Sequence, residues 1–256
     1  MIKTVAPALK ALVADLIDYA GLYPPAKLPL KDAIANFTEY ESGSHAWMLR
    51  CFVTGAGELE NIPDSLDGKL SVLTDSEETR AASLETSSIV NAARPVYCEI
   101  PFTALDKLDE IKESGCFAKM RTGGVKPEAI PSPAMVSSFI LACAERRLPF
   151  KATAGLHHPI RKEYALTYEA DAPRGTMHGF INVLMAAAFA WSGDKEIEKI
   201  IEETDPTAFR FDDKAYWRDK SLSAEQIHDA RKNFMHAIGS CSFEEPVQDL
   251  QALGLL

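Results

Sequence analysis

Short apolar segments alternate with longer amphipathic segments along almost the whole chain. The segments that predict strands are "LIDYAG" (16–21), "HAWMLRCFV" (45–53), "KLSVL" (69–73), "PVYCEI" (95–100), "CFAKMR" (116–121), "PFKATAG" (149–155), "AFRFD" (208–212) and "MHAIGS" (235–240). Most of these segments are continuously apolar, which is typical of parallel strands covered on both faces. Strands that alternate with helices in this way predict an α/β protein, a (β/α)8 TIM barrel that forms one domain over residues 1–256. Residues 4–14 predict an extra N-terminal helix.

Helix start signals support this division of the chain. They are Ser132 before Pro133, Ser223 with Gln226, and Ser242 with Glu245. The first combines an N-cap with a first-turn proline, and the other two have the spacing of a capping box. A doubly wound open sheet is the main alternative fold. Such sheets usually carry a glycine-rich phosphate turn after the first strand, whereas this chain has "GLYPPAKLP" there.

Charge and composition exclude several classes of protein. The formal charge of −10 argues against nucleic acid as the partner, because phosphate binding needs a basic surface. The longest apolar stretch, "FINVLMAAAFAW", is too short to cross a bilayer, and the N-terminus lacks the apolar core of a signal peptide. The five scattered cysteines contain no C-x-x-C pair and predict reduced, buried thiols. These features predict a cytoplasmic protein.

The functional residues of a (β/α)8 barrel lie at the carboxyl ends of its strands. In this chain the candidates there are Asp18, Arg50, Asp75, Glu99, Lys119, Arg121, Lys151, His157, Arg210, Asp212 and Ser240.

A cationic cluster is predicted on the fifth and sixth predicted strands. Side chains alternate along a strand, so Lys119 and Arg121 share one face, and the neighbouring strand brings Lys151 beside them inside the barrel. Three confined positive charges should lower the pKa of a lysine, which would make it an amine nucleophile for Schiff-base chemistry. The same cluster would hold an anion. Alternatively, each lysine pairs with Glu99 or an aspartate and only fills the barrel.

The segment "FKATAGL" resembles the lysine strand of class I aldolases of the deoxyribose-phosphate aldolase type. This resemblance implies that Lys151 is the Schiff-base lysine. The chain has Arg210 in its seventh predicted strand, where those aldolases carry an accessory lysine, so Lys119 would take that role. Over its full length the chain also resembles a family of uncharacterised bacterial (β/α)8-barrel proteins, in "DYAGLYPPA", "KMRTGGV", "FKATAGLHHP", "MHGF" and "GSCSFEEPVQDL". That second resemblance implies the fold and no activity.

Three histidines flank a long connection that follows the sixth predicted strand. His157 and His158 begin it, and His178 stands near its end, where a helix is predicted. One interpretation is acid–base chemistry, with His157 moving protons beside Glu99. Another is a metal site built from the three histidines with Glu99 or Asp18.

The sequence therefore predicts an enzyme that acts on a small anionic carbonyl compound, a sugar phosphate or keto acid, as a lyase or isomerase. Catalysis is assigned to Lys151, Lys119, Glu99 and His157, and substrate binding to Arg121, Asp18, Arg50, His158, His178, Arg210, Asp212 and Ser240. No cofactor is required in this hypothesis. The alternatives are a metal-dependent hydrolase or isomerase and a non-catalytic ligand-binding barrel. The pattern leaves the oligomeric state open.

Overall fold

The computed structural model describes residues 4–256. Its strands are β1 (Ile17–Tyr19), β2 (Leu49–Gly55), β3 (Leu70–Leu73), β4 (Ala81–Thr86), β5 (Val96–Glu99), β6 (Phe117–Arg121), β7 (Phe150–Thr153), β8 (Lys162–Ala165), β9 (Arg174–Met177), β10 (Phe209–Phe211), β11 (Lys214–Trp217), β12 (Lys220–Ser223) and β13 (Met235–Ser240). Its α-helices are α1 (Pro7–Val13), α2 (Leu30–Ser42), α3 (Leu108–Glu113), α4 (Pro133–Arg146), α5 (Phe180–Trp191), α6 (Glu198–Glu202), α7 (Ala224–Asn233) and α8 (Glu244–Ala252).

Strands β1 to β7 and β13 form a closed barrel, and every pair of neighbours in it is parallel. The barrel closes where β13 pairs with both β7 and β1. The predicted (β/α)8 fold is thus confirmed. The predicted N-terminal helix forms as α1, which packs against α7, and the Ala8 N–H donates to the Asp212 carbonyl beside β11 at 3.1 Å.

The strand assignment was wrong at two places. Residues 81–86 form β4 and were not predicted, because Ser83 and Glu85 point into a polar barrel interior and interrupt the apolar run. Residues 208–212 were predicted as a barrel strand. Their β-structure is instead the edge of an antiparallel sheet, β10–β11–β12. The predicted fifth and sixth strands are therefore the sixth and seventh strands of the barrel, β6 and β7.

The connections depart from a regular strand–helix repeat. Strands β3, β4 and β5 follow one another without an intervening α-helix. The connection after β7 carries the hairpin β8–β9, and the sheet β10–β12 is inserted between α6 and α7. Among the helix signals, the Ser132 cap and the Ser223–Gln226 capping box form. The third forms only in part: Ser242 accepts the Glu245 N–H at 3.1 Å, but the Glu245 carboxylate turns elsewhere.

Apolar side chains fill the layer between strands and helices, whereas the inside of the barrel is polar. All five cysteines are buried and free, as predicted. Within residues 4–256, every helix is too short or too polar to cross a bilayer.

Candidate active site

The two lysines of the predicted cluster meet inside the barrel. Lys119 on β6 and Lys151 on β7 are direct partners in the strand register, and Glu99 on β5 is the next partner of Lys119. Both lysines are buried, and Lys151 has no exposed surface. The strand alternation thus predicted correctly that these amines face inward.

The amines do not form an isolated cationic cluster, because acidic side chains separate them. Six side chains form a row of alternating charge, here called the charge ladder: Arg50, Asp18, Lys151, Glu85, Lys119 and Glu99. Three positive and three negative groups balance one another, which makes their burial tolerable.

The ladder has its shortest contacts at its centre. The Lys151 amine donates to Asp18 and, at 2.7 Å, to Glu85 Oε1. The Lys119 amine lies 3.0 Å from Glu85 Oε2 and 2.9 Å from Glu99 Oε2. Glu85 therefore bridges both lysines, and Ser71 donates to its Oε1 at 2.8 Å.

These contacts reverse the predicted electrostatics. Burial alone would lower the pKa of Lys151, but Asp18 and Glu85 outweigh it and raise that pKa. Burial would raise the pKa of Glu85, yet Lys151 and Lys119 lower it to about 2. The predicted fall in the pKa of Lys151 is thus wrong, because two carboxylates, Asp18 and Glu85, contact the amine. Lys151 is held as an ammonium.

A cavity of about 210 Å³ opens at the carboxyl end of the barrel, where Lys119 and Glu85 reach it from the ladder. Arg121 and Thr153 line it from the ends of β6 and β7. Apolar groups from the β1–α2 loop and from the β8–β9 hairpin complete the wall: Tyr23, Pro24, Pro25, Leu166 and Met177. Lys151 is not among the residues that line this cavity. Of the two lysines, Lys119 is therefore the one that a small molecule in the cavity can contact.

Two glycines allow the loops above the lysines to touch. A Cβ on Gly123 would lie 3.0 Å from the Gly155 Cα, and Gly155 has a φ of +78° that disfavours other residues. The Thr122 hydroxyl donates to the Ala154 carbonyl at 2.6 Å and ties the same loops together. The "RTGG" and "ATAG" segments thus shape the rim of the cavity.

His157 lies in the cavity wall within a cluster that the sequence did not predict. Its Nδ1 is 3.3 Å from Glu245 Oε2 and 3.7 Å from Cys241 Sγ. Burial disfavours the imidazolium, but contacts with Cys241 and Glu245 outweigh it and raise the pKa of His157 to about 9. The Tyr168 hydroxyl donates to Glu245 at 3.2 Å. His157 is therefore a cation at neutral pH, suited to donate a proton or hold an anion, and it is not a free base.

The predicted metal grouping does not form. His158 Nδ1 lies 2.6 Å from Asp249 Oδ2, and its ring stacks on Tyr164. His178 contacts the Pro131 carbonyl at 2.8 Å, and burial lowers its pKa to about 4. Within residues 4–256, no three histidine, cysteine or carboxylate side chains converge in a way that could hold a metal ion.

Of the other predicted binding residues, Arg121 and Ser240 lie at the carboxyl end of the barrel. Ser240 Oγ is 3.3 Å from His157 Nδ1 and donates to the Ser242 carbonyl, so it supports the cavity wall. Asp18 and Arg50 belong to the ladder below the cavity. Arg50 is the second residue of β2 and thus lies near the amino end of the barrel, not at the predicted carboxyl end.

Arg210 and Asp212 lie outside the site, because their segment belongs to the antiparallel sheet. Arg210 stacks on Tyr216, and Asp212 accepts the Lys214 N–H at 2.8 Å in a turn. The prediction that places both residues at the carboxyl end of a barrel strand is wrong.

The structure adds three residues to the site: Glu85, Cys241 and Glu245. Glu85 could have been found from the alternation of Ser83, Leu84 and Glu85, which is a strand pattern with a polar inner face. Glu245 was assigned to a helix cap, and its role depends on the long β7–α5 connection, which carries His157.

Comparison of the chain with protein families, with curated proteins and with solved structures found no match.

Proposed function

We propose that this protein is an enzyme that forms a Schiff base with a small anionic carbonyl compound and acts as a lyase or isomerase. The observation that supports it most is that Lys119, whose amine two carboxylates hold, lines the cavity at the carboxyl end of the barrel. The proposal keeps the predicted chemistry and moves the nucleophile from Lys151 to Lys119.

Accessibility favours Lys119 over Lys151. The Lys151 amine is saturated by Asp18, Glu85 and Ser71 and has no exposed surface. The position of Lys151 in the barrel also favours Lys119 as the nucleophile. Lys151 lies on the seventh strand, where the aldolases that "FKATAGL" resembles carry their accessory lysine. Lys151 would then be a positioning residue that keeps Glu85 ionised.

The first step requires a neutral amine. Lys119 would pass a proton to Glu99, whose carboxylate is 2.9 Å away and about 31% exposed, and so can exchange that proton with water. The nitrogen then adds to the carbonyl carbon, and the carbonyl oxygen leaves as water after it takes up two protons. The resulting iminium accepts the electron pair of a breaking C–C bond or, after loss of a proton, isomerises through an enamine.

The remaining cavity residues suit an anionic substrate. Arg121 offers a guanidinium at the rim, and His157 offers an imidazolium in the wall. Either group would bind a phosphate or carboxylate, and His157 would also donate a proton to a departing oxygen.

Borohydride trapping tests the proposal. The wild-type protein is incubated with a panel of sugar phosphates and keto acids, reduced, digested and mapped by mass spectrometry. Reduction converts an imine to a stable secondary amine, so we expect a mass increase on the peptide that carries Lys119. Lys119→Met should abolish the adduct, and Lys126→Met, at an exposed lysine after the same strand, should leave it intact.

Three results would contradict the proposal. An adduct on Lys151 would return the nucleophile to the residue predicted from sequence. No adduct on any lysine across the panel would remove Schiff-base chemistry. An adduct on Lys119 without bond cleavage or isomerisation of any compound tested would favour a barrel that only binds its ligand.

A further inference from the structure

A second cavity, here called the basal cavity, opens at the amino end of the barrel. Its volume is about 370 Å³, and its charged and titratable lining residues are Asp15, Arg50, Tyr97, His228, Arg231, Lys232 and His236. It lies at the opposite end of the strands from the Lys119 cavity. Asp15 is the one carboxylate among the described residues that line it, so the cavity carries an excess of positive charge within a chain of net charge −10.

Arg231 is the centre of this excess. Its guanidinium donates to the carbonyls of Met235, Ala14 and Asp15, and its Nε is buried without a hydrogen-bond partner. No carboxylate of residues 4–256 forms an ion pair with it. A buried guanidinium without a counter-ion is costly, and the cost falls when an anion binds nearby. Burial and the neighbouring Arg50 lower the pKa of Arg231 to about 10, and Asp15 offsets this lowering only in part.

Arg50 connects the basal cavity to the charge ladder. Its Nη1 donates to both oxygens of Asp18, at 3.1 and 3.0 Å, while its side chain also lines the cavity. His236 contributes no charge, because its Nδ1 contacts the Tyr97 hydroxyl and burial lowers its pKa to about 4. Apart from the histidines, the cationic groups that line the cavity are therefore Arg50, Arg231 and Lys232.

We propose that the basal cavity binds a small tetrahedral oxyanion of the phosphate class, separately from the substrate cavity. A phosphate group has the charge to balance Arg231 and Lys232 and the acceptor oxygens to receive their N–H groups. An anion there competes with Asp18 for Arg50, so its binding affects the charge ladder that contains Lys151. This inference is independent of the Schiff-base proposal.

The test measures the melting temperature of the full chain with increasing inorganic phosphate, at constant ionic strength made up with sodium chloride. Wild-type protein should show a saturable rise, because a ligand that binds only the folded state stabilises it. Arg231 is left unchanged because its three carbonyl contacts support the fold. The variant is His228→Gln with Lys232→Gln, two exposed side chains at the rim of the cavity.

We expect the double variant to bind phosphate about tenfold more weakly, since each lost rim contact weakens binding by a few-fold. A Lys195→Gln, Lys199→Gln variant removes comparable charge from an exposed surface and should behave as wild type. The absence of a saturable rise in wild type, or identical curves for wild type and the rim variant, would overturn the proposal. In the same titration, the Arg121→Gln variant shows whether phosphate bound at the substrate cavity contributes to the rise. The two proposals can therefore fail independently.

Discussion

Replacement of Lys151 by methionine should be among the most destabilising single substitutions in the barrel. Methionine keeps much of the side-chain volume but removes the ammonium that lies between Asp18 and Glu85. Two fully buried carboxylates would then each lose a partner. Removal of one member of a buried ion pair costs about 3 to 5 kcal/mol. Arg50 still pairs with Asp18, and Lys119 still pairs with Glu85, so we expect a loss near the lower limit, about 3 kcal/mol.

The double variant Lys151→Met, Glu85→Gln tests the cause of this loss. It removes one positive and one negative charge together and leaves Asp18 paired with Arg50 and Lys119 paired with Glu99. Its cost should therefore be smaller than the sum of the two single costs by at least about 1 kcal/mol, which is a typical coupling energy for residues in contact.

Urea unfolding followed by circular dichroism measures these free energies, with the midpoint and slope fitted for each variant. Lys199→Met, at an exposed position of α6, is the matched control and should stay within about 0.5 kcal/mol of wild type. A loss below about 1 kcal/mol for Lys151→Met, or strict additivity with Glu85→Gln, would refute the charge ladder as a source of stability.

Two further predictions concern a titrating residue and a helix cap. The pKa of His157 is about 9 in the folded protein against 6.5 for an ordinary histidine, so its stabilisation is complete below pH 6.5 and is lost as the pH rises towards 9. Urea midpoints should fall over that pH window by the equivalent of about 3 kcal/mol. The His157→Gln variant should show a smaller fall, whereas the exposed control His228→Gln should fall as wild type does. The same pH dependence in wild type and both variants would contradict the raised pKa of His157. Ser132→Ala removes the acceptor of the Met135 N–H at the start of α4 and should cost about 1 kcal/mol in the same assay. Ser138→Ala, on an exposed helical position, should cost nothing, and an equal loss in both variants would show that the cap is not the cause.

The barrel and the inward position of both lysines could be predicted from the sequence. Continuous apolar runs such as "PVYCEI" have the composition of strands covered on both faces, and the period of two places Lys119 and Lys151 on the inner face. These are local properties, decided by which side of a strand each residue occupies. The same reasoning correctly assigned the helix starts at Ser132 and Ser223.

Only the tertiary structure decided what surrounds those lysines. Glu85 reaches them from β4, which was not predicted because its polar residues interrupt the apolar pattern. Asp18 contacts Lys151 although the two residues are 133 positions apart in the chain. Whether a buried amine is neutral or charged depends on the acidic groups within a few ångströms of it, and closure of the barrel sets those distances. Closure of the barrel also places Arg50 near its amino end and brings Glu245 next to His157. The position of a residue along a strand determines which face its side chain occupies. The electrostatics of the site depend instead on pairs of charged residues that meet only in the folded barrel.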